Sequence, residues 1–191
     1  ASFDLPFAAA LAPALYGIGE AELEARVLSA CRRAGLWLAT AESCTGGQIA
    51  ARLTSVAGSS TVVRGGVVAY DNAIKTAVLG VPEEVIAAHG AVSEPVARAM
   101  AEGARRVLAA DIAVGITGIA GPGGGSPEKP IGTVDVAVAD ADGCTYKRLA
   151  LFGDRALIQH SAAVWALKLV WDRLVARGLA QVEDLAGFQA G

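Results

Sequence analysis

The chain has few of the residues that most often announce a chemistry. Only two of its 191 residues are histidines, His89 and His160, and they lie far apart. Each reads as a surface or core residue rather than a metal ligand. The cysteines number three, Cys31, Cys44 and Cys144, with no CxxC pair. That argues against a disulfide framework or a zinc site and suits a reducing cytoplasm. No block of like charges is present: 16 Lys and Arg stand against 19 Asp and Glu, for a net charge of −3. The clustered basic footprint of a nucleic-acid-binding protein is therefore missing. No apolar run reaches the ~18 residues of a membrane span. The opening stretch, Ala1-Ser2-Phe3-Asp4-Leu5-Pro6, lacks the basic flank of a signal peptide.

What is abundant is apolar side chain, 53% of the sequence. With this length it predicts one domain with a sizeable core and a layered fold. Residues 1–18, broken by Pro6, Pro13 and Gly17, read as a leader or the remnant of a preceding domain. An amphipathic helix over 20–34 ends at Gly35. A buried strand is expected over 36–40, a turn over 41–47 and a helix towards Ser55. A β-branched run over 61–70 reads as a strand bent at Gly65-Gly66. Asp71 or Asn72 caps a short helix holding Lys75. Another short helix starts at Pro82, and Ser93-Glu94-Pro95 opens a helix running to Ala109. A strand over 111–117 leads to a long loop, 118–130, with five glycines and three prolines. Strands over 132–140 and 144–152 flank Asp142-Gly143 and should pair antiparallel. A long helix follows Gly153-Asp154-Arg155, and 178–191 reads as a loosely held tail. This order predicts an α/β fold, a three-layer α/β/α sandwich with a mixed β-sheet.

The chain reads as organised around one short stretch, Ala41-Glu42-Ser43-Cys44-Thr45-Gly46-Gly47. Thr45 with Gln48 fits a capping box, which starts the helix at Thr45 and leaves Ser43 in the tight turn before it. A serine there is either a hydroxyl offered beside free N–H groups or one that only satisfies the backbone. As a nucleophile it needs a base, and Tyr70 and Lys75 are the candidates. Placement near a helix N-terminus would lower the lysine pKa; otherwise Lys75 is an ordinary solvated lysine. The 118–130 loop carries no GxxxxGK[ST], and Gly121, Gly123 and Ser126 miss the GxGxxG spacing. It reads instead as a glycine-rich wall after a strand, or as a surface loop. Lys129 is then a phosphate contact or a solvated residue. Arg155, at a helix start, is an anion binder or a surface arginine paired locally. Thr117 is a candidate to hydrogen-bond a ligand.

Together these segments resemble the CinA C-terminal domain family. The resemblance rests on 41–47, Tyr70 with Lys75, Gly90-Ala91-Val92-Ser93-Glu94, the run from Thr117-Gly118-Ile119-Ala120-Gly121-Pro122 to Gly132-Thr133, and Gly153-Asp154-Arg155. It covers roughly residues 20–175, within a domain placed at 19–177. The family includes the nicotinamide-nucleotide amidase of the bacterial pyridine nucleotide cycle. The resemblance implies hydrolysis of nicotinamide mononucleotide to nicotinate mononucleotide and ammonia. Ser43, Tyr70 and Lys75 would be catalytic. Glu42, Cys44, Thr45, Gly46, Gly47, Thr117, Gly118, Gly121 and Arg155 would bind substrate. It further implies a homo-oligomer with no metal and no organic cofactor, beside the cytoplasmic setting that the cysteines suit and the lack of a nucleic-acid or membrane partner expected from charge and hydropathy. Longer members carry an N-terminal molybdopterin-cofactor-binding-like domain, whose activity is not assigned to these residues. Some members keep the fold without amidase activity. The rivals are thus a binding module in a competence or damage response, and an amidase acting on another carboxamide.

Overall fold

The computed structural model of the chain describes residues 23–181. The expected leader, the first residues of the first helix and most of the expected tail lie outside them. Helix α1, Leu23–Ala34, presents Leu23, Val27, Leu28 and Cys31 to the core. It ends where the sequence places its stop. Gly35 takes a φ of 66°, its N–H donates to Arg32, and the Leu36 N–H reaches back to the Cys31 carbonyl. These paired 5→2 and 6→1 bonds form a Schellman motif. They draw Leu36 into the helix stop, so strand β1 runs Leu38–Glu42 rather than over 36–40.

After β1 come helix α2, Gln48–Thr54, a 3₁₀ turn at Ser59–Thr61 and strand β2, Val63–Val68. The 3₁₀ turn shortens the strand expected from residue 61. Leu38 pairs with Val63 but Ala39 with Gly65, so Arg64 is the extra residue of a bulge next to the paired glycines. Helix α3, Asn72–Leu79, is capped by Asp71, whose carboxylate accepts from the Ala73 N–H at 2.7 Å. Helices α4, Glu83–His89, and α5, Glu94–Val107, precede strand β3, Ile112–Gly118. Strands β4, Thr133–Asp140, and β5, Gly143–Ala150, form the expected hairpin, and helix α6, Arg155–Ala176, closes the fold.

The five strands lie in the order β2-β1-β3-β4-β5. β1 is parallel to both β2 and β3, and β4 is antiparallel to β3 and β5. This is the mixed sheet between helical layers that the segment order predicts. The two faces of the sheet differ in size of side chain. Leu38, Ile112, Val114, Ile116, Val134, Val136 and Val138 pack against α1, α2 and α6. The other face offers Ala39, Ala41, Ala113, Ala137 and Ala139, on which α5 rests, with α3 packed against α5. Small residues let α5 approach closely. At Gly115 a Cβ would lie 2.5 Å from both the Ala101 nitrogen and the Ala97 oxygen of that helix. The obstacle is backbone, so no rotamer change relieves it. Gly115→Val should cost about 3 kcal/mol and lower the Tm by roughly 6–12 °C in a thermal melt. An unchanged Tm would mean that α5 does not sit on the sheet in this way.

Candidate active site

The three parallel strands β1, β2 and β3 all end on one edge of the sheet. The chain leaves β1 to one side for β2 and returns past it for β3. Ligands in open α/β sheets bind in the crevice that such a reversal creates. A cavity of about 270 Å³ lies there. Ser43 and Cys44 line it beyond β1, and Tyr70, Asn72 and Lys75 beyond β2. Thr117, Gly118, Gly121 and the loop after β3 form another wall, with Arg155 at the start of α6. Eight of the twelve residues expected to be catalytic or substrate-binding therefore share one cavity. Asn72, read from the sequence only as a possible helix cap, and Ala91 and Val92, from the 90–94 stretch of the family resemblance, also line it.

Glu42, Thr45, Gly46 and Gly47 contribute no side chain to this wall: the Glu42 and Thr45 side chains are buried, and Gly46 is exposed. The Glu42 carboxylate is wholly buried. One oxygen accepts from Thr45 Oγ1 at 2.7 Å and from the Gly47 and Ile49 N–H groups at 3.0 Å each. The other accepts from the Ala50 N–H at 2.8 Å and from Thr40 Oγ1 at 3.2 Å. An anion at a helix N-terminus is favoured by both the dipole and the unpaired N–H groups. The expected capping box at Thr45 and Gln48 does not form. Helix α2 starts at Gln48 after Gly47, which has no side chain to cap with. Thr45 donates its hydroxyl to Glu42, and the carboxylate does the capping from five residues before the N-cap. No capping pattern in a sequence extends that far.

Ser43 is nearly buried, at 9% exposure. Its N–H donates to the Ile116 carbonyl at 3.0 Å, continuing the β1–β3 ladder, and its carbonyl accepts from the Gly46 N–H at 3.1 Å. Lys75 is 2% exposed, and its Nζ donates to the Tyr70 main-chain oxygen at 3.2 Å. Burial pushes its pKa below the ordinary 10.5, against the opposing pull of Asp71 and Cys44. Desolvation, rather than the helix dipole invoked from the sequence, is the main cause. The Cys44 thiol is pushed up to about 12, again mainly by burial. It stays protonated at neutral pH, so the sulfur is not offered to the cavity as a thiolate.

Tyr70 is 59% exposed, and its phenol oxygen accepts from Arg155 Nη2 at 2.6 Å. Arg155 Nη1 donates to the Gly121 carbonyl at 2.7 Å. This arginine thus ties α6 to the segment after β2 and to the glycine-rich loop. Asp154 caps the helix by accepting from the Leu157 N–H at 2.8 Å. Lys129 takes neither of the roles its sequence position suggested. Its ammonium donates to the His89 and Val92 carbonyls at 2.8 and 2.7 Å, which pins the loop to the turn before α5. Thr117 Oγ1 donates to the Ala91 carbonyl at 2.9 Å on the same wall. Gln159, which no sequence pattern singled out, donates from Nε2 to the Cys44 carbonyl at 2.7 Å. Among the described residues no group of three or more His, Cys, Asp or Glu side chains could hold a metal ion, and no helix is long and apolar enough to cross a membrane.

Residues 20–174 match the family model of the CinA C-terminal domain. The chain belongs to the CinA C-terminal domain family. A CinA-like protein of Gemmatimonas aurantiaca is 57% identical over 153 residues, covering 80% of this chain and 36% of that protein. One from Anaeromyxobacter dehalogenans is 55% identical over 156 residues, with 82% and 38% covered. The chain therefore spans little more than a third of the length of these CinA-like relatives. Among solved structures, competence/damage inducible protein CihA from Agrobacterium tumefaciens is 41% identical with a TM-score of 0.74, covering 82% of this chain and 93% of that one. A CinA superfamily protein from Klebsiella pneumoniae is 36% identical with a TM-score of 0.78, covering 81% and 96%.

The Glu42 network makes a stability prediction for the CinA fold of this chain. Glu42→Gln sets an NH₂ group against N–H and hydroxyl donors, so it should cost about 2–3 kcal/mol. Denaturant unfolding checks this, and a variant as stable as the wild type would show that the carboxylate does not anchor the turn.

Proposed function

We propose that this chain is a nicotinamide-nucleotide amidase, which hydrolyses the carboxamide of nicotinamide mononucleotide to give nicotinate mononucleotide and ammonia. The observation that carries this reading is that Ser43, a buried Lys75 and Arg155 line one cavity. They supply a nucleophile, a base of lowered pKa and a cation that suits a phosphate. CinA membership supports the same reading, since that family includes this activity.

In the proposed mechanism neutral Lys75, assisted by Tyr70, takes the Ser43 proton, and Ser43 Oγ attacks the carboxamide carbon. Desolvation raises the neutral fraction of Lys75 near physiological pH. The tetrahedral oxyanion needs N–H donors in the serine turn, a contribution usually worth a few kcal/mol. The Gly46 and Gly47 N–H groups are already committed, to the Ser43 carbonyl and to Glu42. The donors that no protein oxygen occupies are the N–H groups of Cys44 and Thr45, which face only the Cys44 sulfur, a weak acceptor. Collapse expels ammonia, which carries away the proton held by Lys75, and water then hydrolyses the ester on Ser43. Two of the five guanidinium donors of Arg155 are used within the protein. The others, with the glycine-rich loop, are available to the ribose phosphate, while Thr117, whose hydroxyl proton goes to the Ala91 carbonyl, holds the wall behind them. No step requires a metal or an organic cofactor.

The test is ammonia release from purified chain and nicotinamide mononucleotide across pH, with Ser43→Ala beside it. Removing the nucleophile should lower kcat by roughly 10³-fold or more. Because the neutral amine is the active form, kcat/KM should fall on the acid side and level off at a pH below 10.5, the ordinary lysine value. Undiminished release by Ser43→Ala would rule the scheme out. No turnover of this substrate by the wild type, with intact ligand binding, would favour a binding module instead.

A further inference from the structure

The interaction that remains unexplained in the site is the bond from Gln159 to the Cys44 carbonyl. Gln159 is half-buried and does not line the cavity. It lies one helical turn after Arg155, so the two side chains leave the same face of α6. That helix is a rigid support. Asp154 caps it, and Ile158, Ala162 and Ala163 are fully sunk in the core. Its first two turns therefore hold the cavity at three places: Gly121 and Tyr70 through Arg155, and the serine turn through Gln159.

The place where Gln159 holds the turn is chemically specific. The Cys44 carbonyl and the Thr45 N–H belong to one planar trans peptide, in which the C=O and N–H vectors point in opposite directions. Fixing the carbonyl towards α6 therefore fixes the direction of the Thr45 N–H. That N–H is one of the two donors in the turn left over by Glu42 and the Ser43 carbonyl. We infer that Gln159 is a positioning residue for the oxyanion site: by anchoring the Cys44–Thr45 peptide it keeps the Thr45 N–H aimed where negative charge develops during attack by Ser43. The inference rests on the amidase reading for its substrate but not for its geometry.

A residue that acts through a donor of this kind affects the transition state more than substrate binding. Gln159→Leu removes the bond while keeping the side-chain bulk. It should lower kcat on nicotinamide mononucleotide about 10–100-fold, a fraction of the 10²–10³ lost when an oxyanion donor is removed outright, with KM changed less than about twofold. Gln159→Glu cannot donate when ionised but can when protonated. Its deficit relative to wild type at the same pH should shrink as pH falls towards the ordinary glutamate range near 4.3. A role confined to packing would not produce that pH dependence. A second readout is the rate at which a phosphonofluoridate labels Ser43. The new bond joins Ser43 Oγ to phosphorus, fluoride departs, and the serine proton passes through the base to solvent. The phosphoryl oxygen uses the same donors, so labelling should slow in parallel with kcat.

Wild-type kcat in Gln159→Leu, a KM that rises as far as kcat falls, or a Gln159→Glu deficit constant with pH would each overturn the inference. If the wild type is labelled at Ser43 yet releases no ammonia from nicotinamide mononucleotide, the amidase reading fails, and the relative labelling rates of the Gln159 variants alone decide this one. Melting temperatures measured alongside separate a misfolded variant from a mispositioned turn, and Gln159→Glu keeps the test open if Gln159→Leu does not fold.

Discussion

A single buried carboxylate sets the shape of the site. Glu42 ends β1 with its side chain on the face packed by α1, α2 and α6, and there it gathers three N–H groups and two hydroxyls at the start of α2. An isolated charge with no exposure would be heavily penalised. Five donors and the positive end of a helix offset that penalty. The consequence is local but far-reaching. With the carboxylate on one face, the next residue, Ser43, falls on the opposite face of the strand end, where the crevice lies. The same carboxylate uses up the Gly47, Ile49 and Ala50 N–H groups, and with the Gly46 and Gln48 N–H groups bonded to the Ser43 and Thr45 carbonyls this defines which donors the turn can still offer.

The second constraint is the unequal size of the two sheet faces. Alanines and Gly115 let α5 press against the sheet, while leucine, isoleucine and valine hold α1, α2 and α6 on the other side. The turn that enters α5 carries Ala91 and Val92, so the close seat of that helix brings them to the cavity wall. Thr117 and Lys129 then fasten this turn to β3 and to the glycine-rich loop through three main-chain carbonyls. Arg155 does the same on the far side, through Gly121 and Tyr70. The cavity is thus walled largely by main chain held in place by a few long polar side chains.

Much of this was readable in the sequence wherever the cause is local. The Gly35 stop, the Asp71 cap and the Asp142-Gly143 hairpin each depend on a few neighbouring residues, and the element order predicts the mixed sheet. Where the cause is distant, the sequence misleads or is silent. Thr45 and Gln48 match a capping box, but a carboxylate already inside β1 competes successfully for the same N–H groups. Lys129 resembles a phosphate ligand because it follows glycines, yet its partners lie 37 and 40 residues earlier. Gln159 meets Cys44 across 115 residues, a separation at which no spacing rule operates. The lowered pKa of Lys75 was foreseen in direction but assigned to a helix dipole, because burial at one helical position cannot be read from sequence alone.

The account stands or falls on Ser43 forming a bond to its substrate. The most direct test is to mix excess purified chain with nicotinamide mononucleotide, quench with acid within one turnover, and map adducts by mass spectrometry. The account predicts a transient acyl ester on the peptide carrying Ser43, formed as ammonia appears and lost as nicotinate mononucleotide is released. Complete conversion with that peptide unmodified at every time point, or an adduct on another residue, would contradict it.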